Sequence, residues 1–320
     1  MTTSIQETLS NVEKALNTPA YPSGLPTLVR ENLDDFINRL TMKETPIRDR
    51  LPRKKGSGLA ASWNVLSAMG VGTSAFAEGA TPTEDNTTYV RRSAVYKELG
   101  KKKSISDRML AAGASFTDIE SELTEVAMRE VIQDEESLII TGDATTNPLQ
   151  FDGLALQITG GSVIDDAENA LGFRTALLNA AVAKLQTNYG VKPTAIYCSY
   201  LMKKAINESL AGDVRVNLNA GNEVSTGVEV GFFQSAVGKL PIIATYAVPN
   251  TVDTNTSSHI YLVAEKAQGG DVLYMEDLYG LGKSALDRTG ASIKFMVTEC
   301  TVLVNRATEF HVVVKNVLIP

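Results

Sequence analysis

The longest run of helical periodicity covers Thr117 to Ile140, where Ile119, Leu123, Val126, Ala127, Val131 and Leu138 draw one packing stripe. Thr117 and Glu120 have the spacing of a capping box, and Asp118, Glu120 and Glu122 place acid where a helix N-terminus favours it. Nearer the start, Ile5, Leu9, Val12 and Leu16 form a stripe on a short helix that ends before Pro19. A second short stripe, Leu33, Phe36, Ile37 and Leu40, follows the bend at Pro19, Pro22 and Pro26, and Thr45-Pro46-Ile47-Arg48 is expected to turn the chain extended.

Residues 58–77 and 86–100 carry strand patterning instead, with Trp63, Val65 and Leu66 on one leg and Tyr89, Val90, Val95 and Tyr96 on the other. Gly79 and Pro82 lie between them, so the segment is expected to be a long β-hairpin. Such a hairpin is marginal in water unless it lies on something. Beyond Gly142, helix and strand signals alternate. Helices are expected over Ala167–Tyr189 and Leu201–Leu210, and strands over Thr194–Tyr200, Leu240–Tyr246, His259–Ala264 and Val272–Met275. Ile293–Val304 and Glu309–Ile319 close the chain as an expected long β pair, which makes the fold α+β.

Charge sharpens the view of the hairpin. No Lys or Arg occurs from Gly56 to Val90, while Arg48, Arg50, Arg53, Lys54 and Lys55 precede the gap and Arg91, Arg92, Lys97, Lys101, Lys102 and Lys103 follow it. With Glu78, Glu84 and Asp85 at the tip, the excursion is acidic at one end and basic at the other. Asp134, Glu135 and Glu136, near the C-terminal end of the long helix, run against the helix dipole. They are either a solvated acidic face or a dock for a neighbour's basic cluster.

At 320 residues, 43% hydrophobic, with a formal charge of −7, the chain has the composition of an ordinary globular protein of one or two domains. The acidic balance disfavours a surface that binds nucleic acid everywhere and leaves only local contact with DNA. Cys198 and Cys300 belong to no metal-ligand motif and read as core thiols. His259 and His311 have no ligand-spaced partner. No apolar stretch is long enough to span a membrane, and the N-terminus carries no signal pattern.

Two glycine clusters fail as nucleotide sites. Gly280-Leu-Gly282-Lys283-Ser284 has Asp277 where a phosphate loop needs its first glycine, and Gly70-Val-Gly72 lacks both the third glycine and the following helix. Asp34-Asp35 and Asp165-Asp166 are sequence neighbours that need not converge on a substrate. No catalytic, cofactor or metal site is expected.

The order of the parts then carries a resemblance. An N-terminal arm, a long hairpin with Phe76-Ala-Glu78-Gly79 near its tip, a return strand ending in Lys101-Lys-Lys-Ser-Ile-Ser106, and a long acidic helix resemble the major capsid proteins of tailed bacteriophages, the Hong Kong 97-like fold. Leu138-Ile-Ile-Thr-Gly142-Asp143, Asn147-Pro148-Leu-Gln-Phe151-Asp-Gly153-Leu154 and Gly238-Lys-Leu-Pro241 are similar to linking segments of that family.

The resemblance implies an N-terminal arm over 1–50, an extended loop over 51–104, a peripheral domain with a spine helix over 105–160 and 288–320, and an axial domain over 161–287. It implies self-assembly into hexamers and pentamers of an icosahedral shell around double-stranded DNA, in the virion, without catalysis. A portal, a separate scaffolding protein and a decoration protein are the further partners it suggests. Trp63, Phe76, Glu78, Glu84, Asp85, Arg91, Arg92, Lys101, Lys102, Lys103, Asp134, Glu135 and Glu136 are the expected intersubunit contacts. With no lysine from Gly56 to Val90, the loop is not expected to form the Lys–Asn weld of some members. Because the arm helix begins close to Met1, scaffolding is expected as a separate protein, or as a segment this sequence is already without. An encapsulin-like compartment, a tail or other structural virion protein, and an enzyme of α+β class binding a ligand at Gly280 to Ser284 are the alternatives.

Overall fold

The structure is a computed structural model that describes residues 42–69, 75–81, 84, 86–113, 118–166, 172–211, 231–252, 256–288 and 290–319. The expected helices within 4–40, Gly70-Val-Gly72 and Asp85 lie outside these residues.

The described helices are α1 (Pro46–Arg50), α2 (Asp107–Gly113), α3 (Ile119–Thr141), α4 (Leu154–Gln157), α5 (Thr175–Tyr189) and α6 (Tyr200–Ala211). The strands are β1 (Arg53–Lys55), β2 (Ala60–Ala68), β3 (Thr88–Val95), β4 (Lys97–Ser106), β5 (Val163–Asp165), β6 (Ala195–Cys198), β7 (Phe232–Ser235) and β8 (Gly238–Ala244). They continue as β9 (Asn250–Val252), β10 (Thr256–Val263), β11 (Lys266–Ala267), β12 (Gly270–Asp271), β13 (Leu273–Leu286), β14 (Ser292–Asn305) and β15 (Val312–Leu318).

Two sheets organise these elements. One has the order β1-β13-β14-β4, and the spine helix α3 covers one of its faces. Ile105, Phe295 and Val297 meet Ala127 and Val131 there, because strand positions two apart and helix positions four apart both return to the same side. The larger sheet has the order β5-β15-β10-β6-β8-β7, with β9 pairing β10. Helices α5 and α6 pack on it through Leu178, Val182, Leu185, Met202 and Ile206. A third apolar cluster joins the sheets, bringing Tyr197, Tyr261 and Val313 of the larger one against Ile139, Ile140, Met275 and Val302.

Several sequence expectations need correction. The two closing strands do not pair: β14 lies between β13 and β4, whereas β15 lies in the larger sheet between β5 and β10. A turn through Thr308–Phe310 moves the chain from one sheet to the other. The final strand therefore shares a sheet with β10 and β6.

The second leg of the hairpin is shorter than expected. β3 pairs β2 from Thr88 to Val95, and after the buried Tyr96 the chain becomes β4, which pairs β14 from Thr301 to Ser292. Thr45–Arg48 is not extended, because Pro46 opens α1 in the position where its missing N–H is harmless. Helix α5 begins at Thr175, later than expected, and ends at the left-handed Gly190.

The predicted chemistry of single residues is simpler. Cys198 and Cys300 are free and buried, and burial pushes the Cys198 thiol up to about 12. Gly280 to Ser284 lie inside β13 and form no phosphate loop. Lys283 is occupied: its Nζ donates to Glu120 Oε1 at 2.6 Å and sits 4.6 Å from the Phe295 ring centre.

Candidate intersubunit surfaces

The acidic end of α3 is not a surface. Glu135 and Glu136 are both 0% exposed, and their partners belong to the same chain. Glu135 accepts from Arg48 Nε and Arg53 Nη2, while Arg53 Nη1 also holds Asp277 at 2.9 Å. Burial works against the Arg53 cation, yet Glu135 and then Asp277 outweigh it and raise its pKa. Neither a solvated face nor a neighbour's basic cluster is the right account of these two acids.

Glu136 has a different task. Its carboxylate accepts from the N–H of Ile47 at 3.2 Å, the N–H of Arg48 at 2.7 Å and the Thr245 hydroxyl at 2.8 Å. It caps α1 from far along the chain, which explains why residues 45–48 coil: Thr45 itself makes no side-chain cap. Burial raises the Glu136 pKa against these hydrogen bonds.

Glu299 completes this cluster without a close partner. It is 0% exposed, Arg48 Nη2 stays 3.8 Å away, and neither carboxylate oxygen receives a hydrogen bond from the described residues. Burial first, then the nearby Glu135, pushes its carboxyl up to about 7.

Asp134 differs from its neighbours. It is half exposed and pairs with Lys101 at 2.6 Å, and Lys103 pairs with Glu130 at 2.7 Å. Alternation along β4 turns both lysines toward α3 and leaves Lys102 exposed on the opposite face. At the root of the hairpin, Trp63 Nε1 donates to the Arg306 carbonyl at 3.2 Å. Arg92 there grips Glu309 at 2.6 Å, a bond that lowers the Glu309 pKa against its partial burial. Trp63, Arg92, Lys101, Lys103, Asp134, Glu135 and Glu136 thus have partners within their own subunit.

The tip is the reverse. Phe76, Glu78, Glu84 and Arg91 are exposed, and so are Leu66 at 40%, Met69 at 70%, Tyr89 at 68% and Val90 at 42%. Leu66 stands opposite Tyr89 and Val65 opposite Val90, so both faces of the two-stranded ribbon are apolar. The adjacent apolar pairs Val65-Leu66 and Tyr89-Val90 signal this in the sequence, because successive strand residues point to opposite faces. Glu135 was also findable: Ala127, Val131, Glu135 and Ile139 are spaced by four, which puts an acid on the buried stripe.

Beside the root, the loop after α3 turns back on itself. Gly142 and Gly153 pack backbone to backbone, with Gly153 N–H bonded to the Gly142 carbonyl at 2.8 Å, and a Cβ on Gly142 would lie 2.3 Å from the Phe151 carbonyl. Asp143 ties the loop by accepting from Thr146 Oγ1 and the N–H groups of Thr145 and Thr146, which lowers its pKa. Loop, hairpin root and the end of β14 enclose a cleft of about 460 Å³. Among the described residues no cluster of His, Cys, Asp and Glu is arranged to hold a metal, and no helix is long and apolar enough to cross a membrane.

A two-layer spine-and-sheet unit joined to a larger mixed sheet, with a projecting hairpin, defines the class of capsid-type shell proteins. The model of the SU10 major capsid protein family matches residues 5–318, and the chain belongs to that family. It is a major capsid protein, a structural component of the virion shell. Among solved structures, the capsid of a native GTA particle has 14% identity and a TM-score of 0.71, over 91% of this chain and 96% of that one. The cyanophage A-1(L) capsid has 14% identity and a TM-score of 0.68, over 91% and 98%. The SrpI encapsulin of Synechococcus elongatus, also 14% identical, has a TM-score of 0.64 over 92% and 94%. No curated protein matches the chain by sequence.

Proposed function

We propose that copies of this chain form hexamers and pentamers that close into an icosahedral shell around double-stranded DNA, each hairpin lying across the adjacent subunit. The observation that carries the reading is the tip: a two-stranded ribbon with both faces apolar has no partner in its own subunit among the described residues. An isolated ribbon of this kind is marginal in water, so the neighbour supplies the surface it needs. Ring contacts join different faces of successive subunits, which suits a hairpin acidic at the tip and basic at the root. Each contact can be weak, because closure multiplies it.

In this reading residues 1–50 are an arm, 51–104 the extended loop, 105–160 and 288–320 the peripheral unit, and 161–287 the axial one. Asp85 joins Phe76, Glu78 and Glu84 as a contact residue, and Arg91 and Lys102 remain contact residues on exposed faces. DNA is held without sequence preference through its phosphates. The role is structural rather than catalytic, and scaffolding, portal and decoration functions fall to other proteins.

Electron microscopy of the concentrated protein tests the reading. Closed shells are expected from the full chain, and only soluble subunits from a variant lacking residues 72–86. Tubes or open rings from the full chain would overturn the shell, and normal shells from the deletion would overturn the hairpin's role. The encapsulin likeness names the other possible content, and shells that load protein cargo instead of DNA would favour it.

A further inference from the structure

The hairpin is fastened to the body at one short stretch of β13. Its first leg follows β1, whose Arg53 holds Asp277 at 2.9 Å, and the residue after β1, Gly56, donates its N–H to the Asp277 carbonyl at 2.8 Å. Its second leg ends at Tyr96, whose hydroxyl donates to Glu276 and whose ring lies so close to Gly56 that a Cβ there would overlap it. The register of β13 with β14 slips just beyond, between Asp277 and Tyr279, so the fastening sits at an irregular point of the ladder.

Behind this point lies a closed group of charges. Arg48 of α1 and Arg53 of β1 share Glu135 of α3, Arg53 also holds Asp277, and Asp277 accepts from the Thr301 hydroxyl at 2.6 Å. These charges balance. Glu299 of β14 is the acid without a counterpart: it is fully buried, no described residue donates a hydrogen bond to it, and Arg48 Nη2 stops at 3.8 Å. The last neighbour, β4, places Leu99 opposite Glu299, and its next lysine toward α3, Lys101, is paired with Asp134. Glu136 is engaged by the N–H groups of Ile47 and Arg48 and by Thr245.

With Glu299 protonated the group is neutral in sum. With Glu299 ionised, one negative charge is left over in a site closed to water, facing Glu135 and Asp277. Water reaches it most readily past α1 and β1, which are only five and three residues long. We propose that Glu299 is a proton-operated latch on the first tether of the hairpin: protonated, it leaves α1 and β1 clamped on Glu135 and Asp277, and ionised, it releases them. The latch belongs to the single subunit and does not depend on the proposed shell. Its sign follows from linkage. Burial, and after it Glu135, raises the Glu299 pKa to about 7 in the closed form, so closure is strongest below about pH 4.5, the ordinary range of a glutamate in water. The open fraction then grows by up to about tenfold per pH unit and levels off above about pH 7.

Hydrogen–deuterium exchange of the full chain from pH 5 to pH 8, corrected for the intrinsic pH dependence of amide exchange, tests the latch. Residues 47–56 carry the reporting amides of Ile47, Arg48, Leu51 and Gly56, all bonded in the closed form. They are expected to exchange ahead of residues 127–140 of α3, and about fortyfold faster at pH 7 than at pH 5. Glu299→Gln, which keeps the size and removes the charge, is expected to stay near the slow pH 5 value throughout. Exchange of 47–56 that is independent of pH, or no faster than that of 127–140, would overturn the latch. So would a folded Gln variant with the wild-type slope, which would move the titration to Glu136. Should the variant not fold, infrared spectra of the wild type decide: a protonated carboxyl band is expected to persist at pH 6 and to fade by pH 8, and its absence at pH 6 would overturn the proposal.

Discussion

The root and the tip of the hairpin are opposite solutions to exposure. At the root, the charges are satisfied within the subunit: Arg48 and Arg53 close on Glu135, and Arg92 on Glu309. At the tip, large apolar side chains are exposed and no group among the described residues covers them. The dense charges thus mark internal cohesion, and in the proposed assembly the less conspicuous apolar positions are the contact surface.

The largest test of that contrast is Glu135→Ala. It leaves two largely buried guanidinium groups without their shared carboxylate and is expected to lower subunit stability by about 3–5 kcal/mol, read by chemical denaturation. An effect near zero would make the root a surface after all.

Glu299→Gln should act in the other direction and depend on pH. The folded-state pKa of Glu299 is raised to about 7, above that of an unfolded glutamate, so the folded state holds the proton more tightly. The wild type therefore loses stability as pH rises from about 4.5 to about 7. The variant is expected to flatten that slope and to melt higher than wild type at pH 8, while near pH 4 the two converge. Equal slopes in thermal melts across this window would show that Glu299 is not held neutral.

Asp134→Ala removes a half-exposed pair with Lys101 and is expected to shift stability by no more than about 1 kcal/mol, less in high salt. The contrast with Glu135, one residue away, is the point of measuring both. Smallest of all should be Leu66→Ser combined with Tyr89→Ser: folding of the isolated subunit stays within about 0.5 kcal/mol of wild type. The same variant should fail to form closed shells in light scattering and microscopy. A destabilised subunit would place those side chains in the subunit's own core.

Much of this architecture was legible. The spine helix announces itself by a period of about four and the hairpin legs by β-branched and aromatic residues on either side of Gly79 and Pro82, and the cap residue on α3 is one position from its expected place, at Asp118. Pairing was not legible. Nothing local in Val312–Leu318 distinguishes a partner in β14 from one in β10, because an apolar strand fits any covered sheet and the choice is made by a turn at Thr308–Phe310. The ion pairs were hidden for a related reason: Arg48 and Glu135 are distant in sequence, and only the packed sheets bring them together. The cleft was harder still, since it is built from the ends of three separate segments.

The register of β4 with β14, Ser106 opposite Ser292, has a kinetic consequence. The four-stranded sheet cannot gain its β4 neighbour until nearly all the intervening chain exists, and the larger sheet waits for residues 312–318 to slot between β5 and β10. Contacts so distant in sequence make folding slow. A nascent chain completes its ribbon early, but the two sheets of the body are finished only when the last strands are made, so in the proposed assembly topology delays the surface on which another copy's ribbon would land.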